Sequence, residues 1–250
     1  MLTVGAGLLA LALPALAAGQ VVWGSCPQDL GADGRCGWAQ VPLDPARAAG
    51  PTLEIRVIVL PATGEAKEEP VLFFPGGPGQ ATTALIPMAT QVFAAARETR
   101  DFVFIGQRGA GESAPLGCDI DVAGNPHWAF GHLWVVEEIR RCRAEVPAGR
   151  DPRLFTTREY VADIDAVLDD LEYGRVLLWG GSGGTRTATA YLREHPDRVV
   201  GAVLDGVVPI DYALPLRFAA TLEEAWRRVV ADCGAQPECA AAFPDLAGDL

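Results

Sequence analysis

Apolar and polar positions along the chain alternate between two periods, one of strands and one of helices. Leu53-Glu-Ile-Arg-Val-Ile-Val-Leu60 starts with alternation and ends in a continuous apolar run, which predicts a strand. Val71-Leu-Phe-Phe74 and Phe102-Val-Phe-Ile105 are unbroken apolar quartets, as expected of strands buried on both faces. Residues 38–41, 176–179 and 199–204 complete six predicted strands. Helical stretches fall between them, at about 83–97 and 133–144. A third opens at a capping-box pattern, Thr156-x-x-Glu159, and carries Val161, Ile164, Val167, Leu168 and Leu171 at helical spacing. A fourth follows a glycine-rich turn and runs to Glu194.

Strands alternating with helices imply right-handed crossovers and a mostly parallel sheet, which places the chain in the α/β class. About six strands of an eight-stranded plan are present. From residue 214 to 242 the pattern is helical and contains no strand, as if a helical cap begins there. The expected organisation is a leader over 1–17, a core over 18–211 and the beginning of a cap over 212–250.

The leader expectation comes from Val4 to Ala17, an apolar run that precedes the first charged residue, Asp29. It ends in a small-x-small site, Ala15-Leu16-Ala17, as secretory signal peptides do, although no Lys or Arg precedes it. The run is short for a span of roughly 20 apolar residues. Export to the extracellular side is therefore expected, with no membrane attachment after cleavage and an uncleaved anchor as the alternative. Six cysteines fall into three sequence-near pairs, Cys26/Cys36, Cys118/Cys142 and Cys233/Cys239. Six cysteines allow 15 pairings; neighbour pairing is the simplest and suits an oxidising compartment. No C-x-x-C pair or nearby His offers zinc-ligand spacing, so no metal is expected. The net charge of −12 over 250 residues argues against nucleic acid as a partner, because phosphate contacts need clustered Lys and Arg.

The chemistry-bearing motif is Gly180-Gly181-Ser182-Gly183-Gly184, which fits G-x-S-x-G between a predicted strand and a predicted helix. Such a turn is so sharp that side chains two residues either side of the serine would collide with the flanking strand and helix. Gly180 and Gly184 remove those collisions, and Ser182 becomes the candidate nucleophile at the carboxyl end of the sheet. A dinucleotide fingerprint would need glycine where Arg186 stands, and a phosphate loop would need a lysine that is absent. Upstream, Pro75-Gly-Gly-Pro-Gly79 follows a buried strand. Acyl transfer needs donors aimed at the oxyanion, and the amides of Gly183 and Gly77, with Gly76 as the lesser choice, are the candidates.

These motifs occur in order with Gln107-Arg-Gly-Ala-Gly-Glu-Ser113, His195-Pro-Asp-Arg-Val199 and Val203-Leu-Asp-Gly-Val-Val-Pro209. Together they resemble the proline iminopeptidase and secreted tripeptidyl aminopeptidase family of α/β-hydrolases. The resemblance implies an α/β-hydrolase fold, a Ser-Asp-His triad, and a peptide substrate with a free N-terminus, cleaved through an acyl-enzyme at Ser182. It implies no metal or organic cofactor. Gly106 stands where that family usually has Asp, and Gly183 where it often has an aromatic residue.

The family places its acid and histidine after the cap, whereas this chain ends at Leu250. The expectation is a chain that lacks both, folds poorly and hydrolyses weakly or not at all alone. Of its three histidines, His195 lies about 20 Å from Ser182 at 1.5 Å per helical residue and has a structural role. His127 and His132 are expected to be packed or surface residues, and Asp205 a structural carboxylate. A secreted esterase of the same fold and a non-catalytic binding protein are the alternative readings. The oligomeric state is not legible.

Overall fold

The computed structural model describes residues 18–26, 34–47, 49–77, 79–117, 136–213 and 216–248. The leader, Pro78, Cys118, His127 and His132 lie outside the described residues. The chain forms two compact units that meet in sequence at Val208 and Pro209.

The first unit is built on a seven-stranded sheet: β1 (Val21–Gly24), β2 (Arg35–Pro42), β3 (Thr52–Leu60), β4 (Val71–Phe74), β5 (Phe102–Ile105), β6 (Val176–Gly181) and β7 (Val199–Asp205). Their spatial order is β1-β2-β3-β5-β4-β6-β7. The strands from β5 to β7 run parallel, while β1, β2 and β3 form an antiparallel meander joined to the β5 side. Among the described residues, the α-helices of this unit are α1 (Ile86–Val92), α2 (Ala94–Arg97), α3 (Val136–Glu145), α4 (Thr157–Asp170) and α5 (Gly184–Glu194). Strand β1 was not expected from the sequence. It has four residues with only Val21 buried, too short to show a period, and the Asp170 carboxylate accepts the Val21 amide at 2.9 Å.

Successive side chains of a strand point to opposite faces, and the sheet divides its apolar residues accordingly. Leu72, Phe74, Val103, Ile105, Val57 and Val59 pack with Tyr160, Val161, Ile164, Val167 and Leu168 of α4. On the other face Val71, Phe73, Phe102, Phe104, Ile58 and Trp179 pack with Leu85, Ile86 and Ala89. The unbroken quartets of β4 and β5 are therefore buried on both faces, as their composition requires. Phe73 stacks on Phe104 with ring centroids 5.0 Å apart and an interplanar angle of 12°.

The single helix expected over 83–97 is broken. A 3-10 turn over Thr82–Leu85 leads into α1, and the chain leaves helical geometry at Phe93 (φ −109°, ψ 27°) before α2. Phe93 sets its ring 5.7 Å from both Phe73 and Trp179, and the partly buried ring packs against that aromatic cluster where the helix breaks. At the start of α4, Thr156 caps through Oγ1, which accepts the Arg158 amide at 3.3 Å and donates to Glu159. Leu171, expected on the apolar face, is the C-cap and only partly buried.

Cys26 and Cys36 form a disulfide that ties the chain before β2 to that strand. The second unit contains α6 (Phe218–Ala235) and α7 (Pro237–Ala242), joined at Gln236 and bridged by the Cys233–Cys239 disulfide. Cys142 is also disulfide-bonded; Cys118, its expected partner, lies outside the described residues. Among the described residues no helix is long and apolar enough to cross a membrane, and no group of three or more His, Cys, Asp or Glu side chains is placed to hold a metal ion.

Candidate functional site

Strands β4 and β6 are parallel neighbours, with Phe74 opposite Gly180. The loops that leave them therefore emerge at the same, carboxyl end of the sheet. Ser182 sits on the turn between β6 and α5 with φ +49°, a left-handed conformation that costs an L-residue roughly 1–2 kcal/mol. Local bonds fix that conformation. The Ser182 amide donates to Asp205 O at 2.7 Å, and its carbonyl accepts the Thr185 amide at 3.0 Å and the Thr185 hydroxyl at 2.6 Å. Thr185 Oγ1 in turn accepts the Val208 amide at 2.8 Å. The side chain of Ser182 is left exposed.

The loop after β4 lies against this turn. A Cβ added to Gly184 would fall 2.3 Å from Phe74 O and 2.6 Å from Pro75 O, so the first turn of α5 touches the backbone where β4 ends. One added to Gly183 would fall 2.7 Å from Gly77 O, and one on Gly76 would stand 3.3 Å from Ser182 Cβ. Gly180 closes the other side, its added Cβ falling 2.9 Å from Gly184 O. The structure thus brings together Gly76, Gly77, Gly180, Ser182, Gly183 and Gly184. The N-terminus of α5 faces the same crevice, and a helix N-terminus favours negative charge.

The two positions that depart from the resembling family have steric reasons. At Gly106 a Cβ would stand 1.9 Å from Ser113 Oγ, and that oxygen is already committed, accepting the Arg56 amide at 3.0 Å. At Gly183 the carbonyl of Gly77 fills the space an aromatic side chain would need.

His195 is not brought to Ser182. It caps the opposite end of α5, stacks on Tyr191 with centroids 4.9 Å apart, and sets Nδ1 3.3 Å from Asp165 Oδ1. Asp205 contributes its backbone carbonyl to the Ser182 turn, while the residue itself is exposed.

A second constellation, not recognised in the sequence, supports the loop after β5. Arg108 is fully buried, and all five of its N–H donors are used. Nε and Nη2 donate to the two oxygens of Asp163 at 2.7 and 2.6 Å, Nη1 donates to Leu43 O and Leu154 O, and Nη2 also donates to Pro42 O. Burial pushes the Asp163 carboxyl up to about 6, while the hydrogen bonds and charge of Arg108 oppose that rise. A charged residue at the centre of α4's apolar face, between Tyr160 and Ile164, is the signal that could have exposed it. Beside this pair, Tyr160 Oη and Thr82 Oγ1 both donate to Ile105 O, at 2.6 and 3.1 Å, and hold the end of β5.

Comparison with known proteins agrees with this architecture. The family model described as alpha/beta hydrolase fold matches residues 69–242. Serine protease Hip1 of Mycobacterium tuberculosis is 29% identical over 226 residues, covering 82% of this chain and 42% of its own length. Proline iminopeptidase of Neisseria meningitidis serogroup A is 30% identical over 154 residues, 62% of this chain and 37% of that protein. Proline iminopeptidase of Arabidopsis thaliana is 29% identical over 178 residues, 69% and 37% of the two chains. The chain spans about two-fifths of the length of these curated relatives. With strand, elbow and helix in the required order and the family model covering most of the sequence, the chain belongs to the alpha/beta hydrolase fold family.

Proposed function

We propose that Ser182 is the nucleophile of an exported serine hydrolase that releases short N-terminal segments from peptides. The observation that carries this reading is an exposed serine held at φ +49°, with the Gly76–Gly77 backbone packed beside it at the carboxyl end of β4 and β6. Strained serines at such turns present Oγ to a substrate carbonyl. In this reading Oγ bonds to the carbonyl carbon, and the resulting oxyanion is held by the amides of Gly183 and Gly77, with Gly76 alongside. Collapse expels the amine of the shortened peptide and leaves an acyl-enzyme, which water hydrolyses.

An alcohol needs a general base to act near neutral pH. The family resemblance implies a histidine base and an orienting acid supplied from beyond the cap, and His195 is occupied with Tyr191 and Asp165. Export is supported by disulfides such as Cys26–Cys36 and Cys233–Cys239, which suit an oxidising compartment. The peptidase names of the relatives favour peptides over other acyl substrates.

The test is turnover of peptide arylamides with free and with blocked amino termini, beside short acyl esters, by the purified full-length natural protein and its Ser182→Ala variant. Ser182-dependent cleavage of the free-amine arylamides is expected. Cleavage confined to esters would make the protein an esterase. No Ser182-dependent turnover of any of them would leave a binding protein on a hydrolase scaffold.

A further inference from the structure

The loop after β4 doubles back at two glycines with positive φ, Gly77 (+99°) and Gly79 (+89°), and this brings Gln80 over its own beginning. A Cβ added to Gly76 would lie 3.6 Å from Gln80 Oε1 as well as 3.3 Å from Ser182 Cβ, and one on Gly77 would lie 3.6 Å from Gln80 Cβ. The carboxamide of Gln80, the Gly76 peptide and the side chain of Ser182 therefore border one small volume. Gln80 is exposed, and its carboxamide makes none of the hydrogen bonds formed among the described residues. It carries two N–H donors and one acceptor, which rotation of its last torsion exchanges.

Resting on the reading of Ser182 as nucleophile, we propose that Gln80 is a further catalytic residue, a neutral side-chain donor that joins the backbone amides in holding the oxyanion. When Ser182 Oγ bonds to the substrate carbonyl carbon, the C=O π electrons move onto oxygen and the serine proton leaves to the base. Gln80 exchanges no proton; its Nε2–H bond to that oxygen strengthens as the charge grows. Removing an interaction made only as charge develops lowers kcat and leaves KM nearly unchanged. It also acts on amides and esters alike, because both pass through the same oxyanion.

The experiment compares Gln80→Ala and Gln80→Glu with the wild type, all in the full-length natural protein, on one arylamide and one ester, with Ser182→Ala as reference. A well-placed oxyanion donor is worth on the order of a hundred- to a thousand-fold; for this exposed one a fall in kcat of about ten- to a hundred-fold is expected for Gln80→Ala on both substrates, with KM within about twofold. Gln80→Glu nearly preserves shape but places a carboxylate against the oxyanion, so it falls below Gln80→Ala. A packing role would reverse that order, the near-isosteric Glu being milder than Ala. Ser182-dependent turnover with kcat of Gln80→Ala within about threefold of wild type, or with Gln80→Glu the better variant, overturns the role of Gln80 alone. Absence of Ser182-dependent turnover in the wild type overturns both readings.

Discussion

Replacing Gly184 by alanine tests whether the elbow and the loop after β4 are one interlocked unit. The added Cβ would stand 2.3 Å from Phe74 O, 2.6 Å from Pro75 O and 2.7 Å from Phe74 C, where ordinary contact begins near 3.4 Å. All three neighbours are backbone atoms, so no side-chain rotation relieves the clash and the segments must part by about 1 Å. Overpacking of this kind costs about 1–3 kcal/mol, and β4, held between β5 and β6, cannot yield freely. Alanine regains up to about 1 kcal/mol of helix propensity over glycine, and because the backbone neighbours cannot rotate away, the cost lies toward the upper end of that range, a net loss approaching about 2 kcal/mol. The functional loss is larger in proportion, because a displacement of about 1 Å at a reacting centre can cost about a hundred-fold in rate. Urea unfolding reads the first quantity, and the second-order rate of Ser182 labelling by a fluorophosphonate reads the second. Gly174→Ala is the control, since its added Cβ meets nothing within 4 Å; it should be neutral or slightly stabilising. A Gly184→Ala protein as stable as the wild type, with unchanged labelling, would refute the interlock.

Three other perturbations follow from the packing. Asp163→Ala strands the buried Arg108 guanidinium, and breaking a buried pair in this way costs about 3–5 kcal/mol, measurable as a lower denaturant midpoint. The same carboxyl, raised to about 6 from an unfolded value near 3.9, gives native protein that holds more protons than unfolded protein between those values. The Asp163 contribution to stability therefore falls as pH rises from about 4 to 6 and is flat above; subtracting the melting profile of Asp163→Asn from that of the wild type should expose the slope. Ser182→Gly relieves the positive φ and should exceed Ser182→Ala in stability by about 0.5–1 kcal/mol, with equal melting temperatures counting against strain at the turn. Removing the Cys26–Cys36 disulfide, whose sequence separation is 10, should cost about 2.5–3 kcal/mol through chain entropy, read as the difference between the wild type and a double Cys→Ser variant.

The part of the molecule legible in the sequence is the part governed by local rules. Six of the strands, the position of Ser182 on its elbow and the packing needs of Gly180 and Gly184 all follow from short-range sterics and apolar runs, which survive without knowledge of the fold. The Arg108–Asp163 pair was not legible, because its members are 55 residues apart and nothing in either neighbourhood names the other. The break at Phe93 was hidden for the same reason: its ring is drawn away by Phe73 and Trp179, which come from distant strands. Gln80 carries no local signal, because its place beside Ser182 depends on how the chain doubles back at the positive-φ residues Gly77 and Gly79.

Arg108 gathers the end of β2, the loop after β5, the segment before α4 and α4 itself at one point. Its donors are all satisfied only when every one of these segments has docked. An arrangement with the meander misregistered would bury a cation with bare N–H groups, which is costly. Once closed, the knot makes escape of any one segment contingent on the others, and their exchange with solvent should be slow and concerted.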